Sequence, residues 1–258
     1  MTMPAGVQPL PLFYGDPVLL RFEEHSDVGL APTGHFDFTR KAVGIPLCIG
    51  EFVAAMRHFP IVFATDEQAS PIALVGIRRD RNLFVEQDGG WKAGSSVPVY
   101  IRRYPFIVTE TKDKSQQMLA VDRASERYVP SVSEHPEAER LFDEAGGPTA
   151  TAKSAMALCH AYHTDYSRTV AFGKALLAAK FLTPIHAQFR LPDGSQHQVN
   201  GFYAVDDKAY RALPAKTLAG WHTKGWLDLV TLHLASQQSF QALLDLNAQR
   251  ANERKALA

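Results

Sequence analysis

The sequence predicts an α+β fold: antiparallel strands dominate the first half, and helices dominate a second half that carries an inserted β-hairpin. Three features lead there. Between residues 61 and 121, short apolar or alternating runs are separated by Asp and Gly turn residues. From Leu158 to Phe181, apolar residues recur at helical spacing. Further on, Pro192-Asp193-Gly194 separates two strand-like segments, as a hairpin turn does.

Residues 1–16 are proline-rich and read as an irregular arm. Val18–Phe22 reads as a short strand. Residues 23–47 are polar and broken by Gly29, Pro32, Gly34, Gly44 and Pro46, the composition of a long loop or of an arm laid over a core. Glu51–His58 reads as a short helix. Phe52, Ala55, Met56 and Phe59 recur at helical spacing, and Glu51 puts negative charge in the first turn, where the helix dipole favours it. Pro60 helps to end it. Strands are expected at Ile61–Ala64, Ile72–Ile77 and Asn82–Glu86, with Asp80, Asp88, Gly89 and Gly90 turning the chain between them. Trp91 follows an Asp-Gly-Gly turn and is expected to close a hairpin. Phe106–Thr111 and Gln116–Val121 read as another strand pair, with Lys112, Asp113 and Lys114 at the tip.

Residues 123–150 are polar and carry Pro130, Pro136, Gly146, Gly147 and Pro148, so they read as a linker-like segment. A long helix is expected from near Thr151, with Pro184 just beyond its end. Ile185–Leu191 and Gln196–Val205 then flank the hairpin turn. Asp206 is placed to cap a short helix running through Leu213. Pro214–Thr223 reads as a helix with proline in its first turn and Gly225 after its end. Trp226–Ala251 reads as one last helix. The expected organisation is a strand-rich region over 1–122, the linker-like segment over 123–150 and a helical region with the hairpin over 151–258. These regions are compatible with one shared core.

Composition narrows the function classes. Hydrophobic residues make up 46% of the 258 residues, enough to bury a core without disulfides or metal staples. Lys plus Arg and Asp plus Glu each total 27, so the formal net charge is zero. That argues against nucleic acid or an anionic membrane as the partner. No stretch approaches the length of a membrane helix, and Met1–Tyr14 lacks a basic start and contains Pro4, Pro9 and Pro11 where a signal peptide would be continuously apolar. The two cysteines, Cys48 and Cys159, make no disulfide framework. A soluble, cytoplasmic chain with no cofactor and no metal is expected.

Motif searches return no P-loop, dinucleotide fingerprint, nucleophile elbow or zinc-protease helix. His160 and His163 share a helix face, but a zinc site needs three or four converging ligands. His186 and His197 flank the hairpin turn. His233 lies in an apolar helix pattern and is most simply a hydrogen-bonded core histidine. Cys48 precedes a helix start, yet Leu47 and Ile49 flank it as they would a small buried hydrophobe. Asp206 and Asp207 follow an apolar strand, where a cap explains the first more simply than catalysis does. The densest chemical feature is an arginine–aromatic run. It nominates Trp91, Tyr100, Arg102, Arg103 and Tyr104 as a ligand- or partner-binding set, because forked guanidinium donors beside aromatic faces suit a carboxylate, a phosphate or a peptide backbone. Core packing and local ion pairs are the competing use of the same residues.

The order of several segments resembles a known family. They are Glu51-Phe52, Phe59-Pro60-Ile61-Val62-Phe63, Ala73-Leu74-Val75-Gly76-Ile77, Asn82-Leu83-Phe84-Val85, Gly90-Trp91 and Pro98 to Phe106. The second half adds Leu141-Phe142-Asp143, Pro192-Asp193-Gly194, Gly201-Phe202-Tyr203-Ala204-Val205-Asp206 and His233-Leu234-Ala235-Ser236. Together, over roughly residues 20 to 248, these resemble the SapC family of bacterial proteins. Two positions depart from that pattern: Arg123 stands where an acid is expected, and Asp207-Lys208 replaces the Glu-containing version after Asp206. The resemblance implies a link to surface-layer or envelope-protein secretion and brings no established catalytic residues. The expected function is therefore an accessory or binding protein whose partner is an exported or envelope protein or a small ligand, and self-association is compatible with it. The alternative is an enzyme acting on a peptide or small molecule through an unrecognised His/Asp/Arg site.

Overall fold

The computed structural model describes residues 10–32, 34–78, 80–110, 117–185, 187–190 and 196–257. The architecture is α+β, with antiparallel sheets in the N-terminal half and helices in the C-terminal half. Contacts divide the chain into two compact units, each built from two separate stretches: Met1–His35 with Arg103–Ala161, and Phe36–Arg102 with Tyr162–Ala258. Among the described residues no helix is long and apolar enough to cross a membrane.

In the first unit, Gln117–Asp122 lies between Pro17–Leu19 and Phe106–Glu110, antiparallel to both. The expected strand pair is present, and its tip lies outside the described residues. Residues 123–150, expected as a linker-like segment, supply Tyr128–Val129 and Glu139–Arg140, which pair on either side of Gly29–Leu30. Leu20, Val28, Leu30, Phe106, Leu119, Val121 and Leu141 form the core with Ala152 and Cys159 from the start of the long helix Ala150–Ala179. Burial pushes the Cys159 thiol up to about 11, so it stays protonated and packs as an apolar group.

Asp122 is a buried acid of this unit. Its carboxylate is fully buried and accepts from the main-chain N–H of Gly15 at 2.9 Å, Asp16 at 2.6 Å and Ala124 at 3.2 Å, and from the Tyr104 hydroxyl at 3.2 Å. Those donors replace the water that burial removes. They also tie the end of the proline-rich arm to the sheet, helped by the Tyr14 hydroxyl donating to the Phe106 carbonyl at 2.6 Å.

The second unit holds a five-stranded antiparallel sheet in the order Leu182–Pro184, Phe202–Val205, Ile61–Ala64, Pro71–Leu74, Gly44–Pro46. Ile61, Val62 and Phe63 are all fully buried. A central strand covered on both faces has no solvent side to make polar, which is why Ile61–Phe63 reads as a continuous apolar run and does not alternate. The long helix approaches the Gln68–Ala69 turn so closely that a Cβ on Gly173 would lie 1.9 Å from the Gln68 carbonyl oxygen. Next to it, fully buried Phe172 packs edge-on or tilted against Phe52, Phe63, Trp221 and Trp226, with centroids 6.1–6.5 Å apart.

Several elements differ from the sequence expectation. Asn82–Glu86 forms no strand; Val85 makes a single bridge to Trp91, so the hairpin closes with little ladder. After Pro98, in a stretch for which the sequence predicts no element, the chain makes a helical turn, Val99–Arg102. The short helix near Glu51 begins as a 3-10 turn, Ile49–Glu51, and continues as Phe52–Ala55. Gln196–Val205 breaks at Gly201, whose φ of +82° suits glycine, leaving Gln196–Val199 paired with Ala187–Arg190 and Phe202–Val205 in the main sheet. The Pro192-Asp193-Gly194 turn lies outside the described residues. The last helical stretch is two helices, Trp226–Ser236 and Ser239–Leu257.

The end of Trp226–Ser236 is sewn to the sheet by polar groups. His233 is fully buried, and its Nε2 accepts from the Val205 N–H at 3.0 Å, so the neutral ring carries its proton on Nδ1. The Ser236 hydroxyl accepts from the Ile61 N–H at 2.9 Å, and the Gln237 amide donates to the Ile61 carbonyl at 2.9 Å. Burial depresses the His233 pKa from 6.5 to about 4, against a weaker pull from the Ile61 main chain. The folded value is below the unfolded one, so the unfolded chain binds more protons between pH 6.5 and pH 4. His233 therefore contributes stability above that window and loses it as the pH falls, by about 3 kcal/mol in all.

Two predictions follow from these seats. Urea unfolding of the wild type should show a fall in midpoint between pH 6.5 and pH 4 that His233→Gln, which keeps an acceptor for Val205, largely removes. Gly173→Ala should lower stability by about 1–3 kcal/mol in the same assay, although alanine is the better helix former, because the added methyl meets main chain.

Candidate functional site

The five residues nominated from the sequence fall in both units. Trp91 is half-buried, donates its indole N–H to the Ser96 carbonyl at 3.0 Å and stacks on Phe84 at 5.8 Å. Tyr100 is buried, edge-on to Tyr162 at 5.9 Å. Arg102 is exposed, and its charge favours the ionised form of Glu51. In the other unit, Arg103 is buried with its guanidinium 5.6 Å from the centre of the Tyr14 ring. Tyr104 is buried, and burial pushes its phenol up to about 12, so it acts as a hydrogen-bond donor to Asp122. Tyr100, Arg103 and Tyr104 thus spend their side chains inside the protein.

The two acids after the apolar strand are similarly occupied. Asp206 caps the helix Asp207–Arg211, accepting from the Lys208 and Ala209 N–H groups, and Asp207 pairs with Arg211. Both cysteines are buried and neither is in a disulfide. His160 is half-buried and His163 exposed. Among the described residues no three or more His, Cys, Asp or Glu side chains are grouped to hold a metal ion. His186 lies outside the described residues.

Glu51 is the most constrained acid of the second unit. One carboxylate oxygen accepts from the Cys48 N–H at 2.9 Å and the other from the Val99 N–H at 2.6 Å. It therefore caps two short helices, its own and Val99–Arg102. Burial raises its pKa, the two N–H donors and Arg102 oppose that rise, and the Asp165 charge adds to it. The remaining donors at that helix start are met from the long helix. Ile49 N–H donates to the Thr169 hydroxyl at 3.0 Å, and Gly50 N–H to Asp165 at 2.9 Å. With every donor engaged, this turn has no free N–H for a ligand.

An open site lies elsewhere in the second unit. A cleft of about 350 Å³ runs between a loop wall, Arg57–His58, Phe84 and Lys92–Ser95, and a helix wall through Ala242, Leu243, Asp245, Leu246 and Gln249. Phe84 and Leu243 are nearly fully buried, so the floor is apolar and firmly packed. Trp91 and Phe59 back Phe84, with centroids at 5.8 and 4.6 Å. Neither Arg57 nor Lys92 has an ion-pair partner among the described residues. Burial, and then the Arg57 charge, depress the His58 pKa, so its ring is neutral at pH 7. Asp245 is the one carboxylate in the lining, and it accepts from the Gln241 amide at 2.9 Å.

A second recess of about 200 Å³ is lined by Arg40, Lys41, Arg81 and Arg250. There Arg40 pairs with Asp37, and Arg250 pairs with Glu86 and Glu253, so much of the charge is neutralised internally. Sequence reasoning missed the first cleft because its walls are separated by about 150 residues and neither wall carries a motif. The local signal was only Trp91 and the Asn82–Val85 segment, which supply the backing and the floor.

Residues 20–243 match the SapC family model. The chain belongs to the SapC family. No curated protein and no solved structure matches it. Three of the SapC-like segments of the second unit meet along the central strand. Phe59–Phe63 runs into the central strand, where Phe63 and Ala64 face Tyr203 and Phe202. His233 and Ser236 bond Val205 and Ile61 across the same seam. In this SapC chain those segments hold the sheet to the helices, while Phe84 from Asn82–Val85 reaches the cleft.

Because Glu51 holds two helix starts at once, Glu51→Ala in the SapC chain should cost about 2–4 kcal/mol, more than a single lost cap. Denaturant unfolding measures this directly.

Proposed function

We propose that this SapC chain is a cytoplasmic, non-catalytic accessory that binds an exported or envelope protein, and that the cleft between Arg57–His58 and the last helix is its contact. The observation that carries this reading is the pair of cations that have no ion-pair partner among the described residues, above an apolar floor. An arginine and a lysine that make no ion pair among the described residues, in a cleft whose carboxylate, Asp245, lies on the opposite wall, are placed to meet charge from outside the molecule over an apolar floor. The secretion link that the family resemblance implies supplies the class of partner. Of the groups that a catalytic reading would use, Asp206 serves as a helix cap, which supports this reading; the acid Glu51 and the histidine His233 likewise hold main chain. Of the five sequence-nominated residues, Trp91 enters this reading as the support for Phe84, and exposed Arg102 as a separate surface charge.

The test is deletion and complementation in the bacterium that carries the gene, with surface-exposed envelope protein quantified in intact cells. Deletion should reduce it. The wild-type chain should restore it, and the double variant Arg57→Glu with Lys92→Glu, expressed at equal level, should not. Unchanged surface protein after deletion would overturn the accessory role, and full restoration by the double variant would overturn the cleft as its contact.

A further inference from the structure

We infer that the cleft takes the free C-terminal end of a peptide, with the carboxylate between Arg57 and Lys92 and the last, apolar side chain over Phe84. This rests on the accessory reading and names what that site would hold. Both cations lie on the loop wall, and the single acid, Asp245, lies on the helix wall. A carboxylate matches the planar fork of a guanidinium, and an ammonium beside it adds a point charge. His58, neutral and also on the loop wall, adds a hydrogen-bonding group without further charge.

Across the cleft, Asp245 keeps lone pairs beyond the one that Gln241 occupies, and these suit the last peptide N–H of the incoming chain. Positive charge on one wall and negative on the other is the order in which a chain end presents its carboxylate and then its N–H. A dianion such as a phosphate would face the Asp245 charge. The volume of about 350 Å³ sits at the small end of ligand pockets, roughly 300–1,000 Å³, and so admits a chain end and not a folded surface. Ala242 is small and exposed, which keeps the helix side of the mouth open.

Fluorescence anisotropy with the full chain tests this, using a labelled Gly-Ser-Gly-Ala-Leu peptide with a free C-terminus and the same peptide as its C-terminal amide. The free acid should bind, and the amide should bind about tenfold or more weakly. Arg57→Gln with Lys92→Gln should weaken the free acid to a similar extent. Ala242→Phe should block it without any change in charge or in the melting temperature. Equal binding of acid and amide, absence of binding by both, or affinity unchanged in these variants would overturn the chain-end assignment. Competition by N-acetylleucine as strong as by the peptide would also overturn it, assigning the cleft to a small carboxylate. If the chain end fails here while the Arg57→Glu, Lys92→Glu chain still fails to restore envelope protein, the accessory reading stands and only the ligand is wrong.

Discussion

The second unit depends on how closely the long helix can approach the sheet. At Gly173 the helix lies against the main chain of Gln68 and Ala69, at a distance no side chain would permit. That contact seats Phe172 in the aromatic cluster with Phe52, Phe63, Trp221 and Trp226. One and two turns earlier on the same helix face, Thr169 and Asp165 then reach the N–H groups of Ile49 and Gly50. Packing and polar capping are thus set by one helix position, because a helix held rigidly at one point carries its neighbours to defined places.

The buried polar groups follow a common logic. Asp122, Glu51 and His233 are residue types that often perform chemistry, and here each accepts hydrogen bonds from main-chain N–H groups. A buried N–H without an acceptor costs on the order of 1–3 kcal/mol, so irregular chain can be buried only where such acceptors are provided. Irregular chain is fixed in this way at the arm beside buried Tyr14, at the turn Cys48–Glu51 and at the entry to Val99. The acids stand where those segments need them. The cleft differs in kind, because Arg57 and Lys92 make no ion pair among the described residues.

Much of the local structure was legible. The Phe59–Phe63 run marks a strand buried on both faces, the Phe106 and Gln116 segments mark a strand pair, and Asp206 marks a helix start. These features depend on residues close in sequence. Other features did not show. Asn82–Glu86 has the composition of a strand but finds no ladder partner beyond the Val85–Trp91 bridge, since strand identity is settled by what lies beside it. The polar stretch 123–150 has the composition of a linker, yet two of its residue pairs flank Gly29–Leu30. Arg103 looks like a surface cation and is buried against Tyr14, a residue far away in sequence.

What the sequence by itself determined is the α+β class, the SapC kinship, most helices, and the roles of His233 and Asp206, because periodicity, capping and turn chemistry act over a few residues. What only the tertiary structure decided is the assignment of polar residues to interior or surface and the existence of the cleft. Both depend on which distant segments meet. Arg57 and Lys92 acquire a common purpose only when the last helix closes the other wall, and no local pattern encodes that meeting.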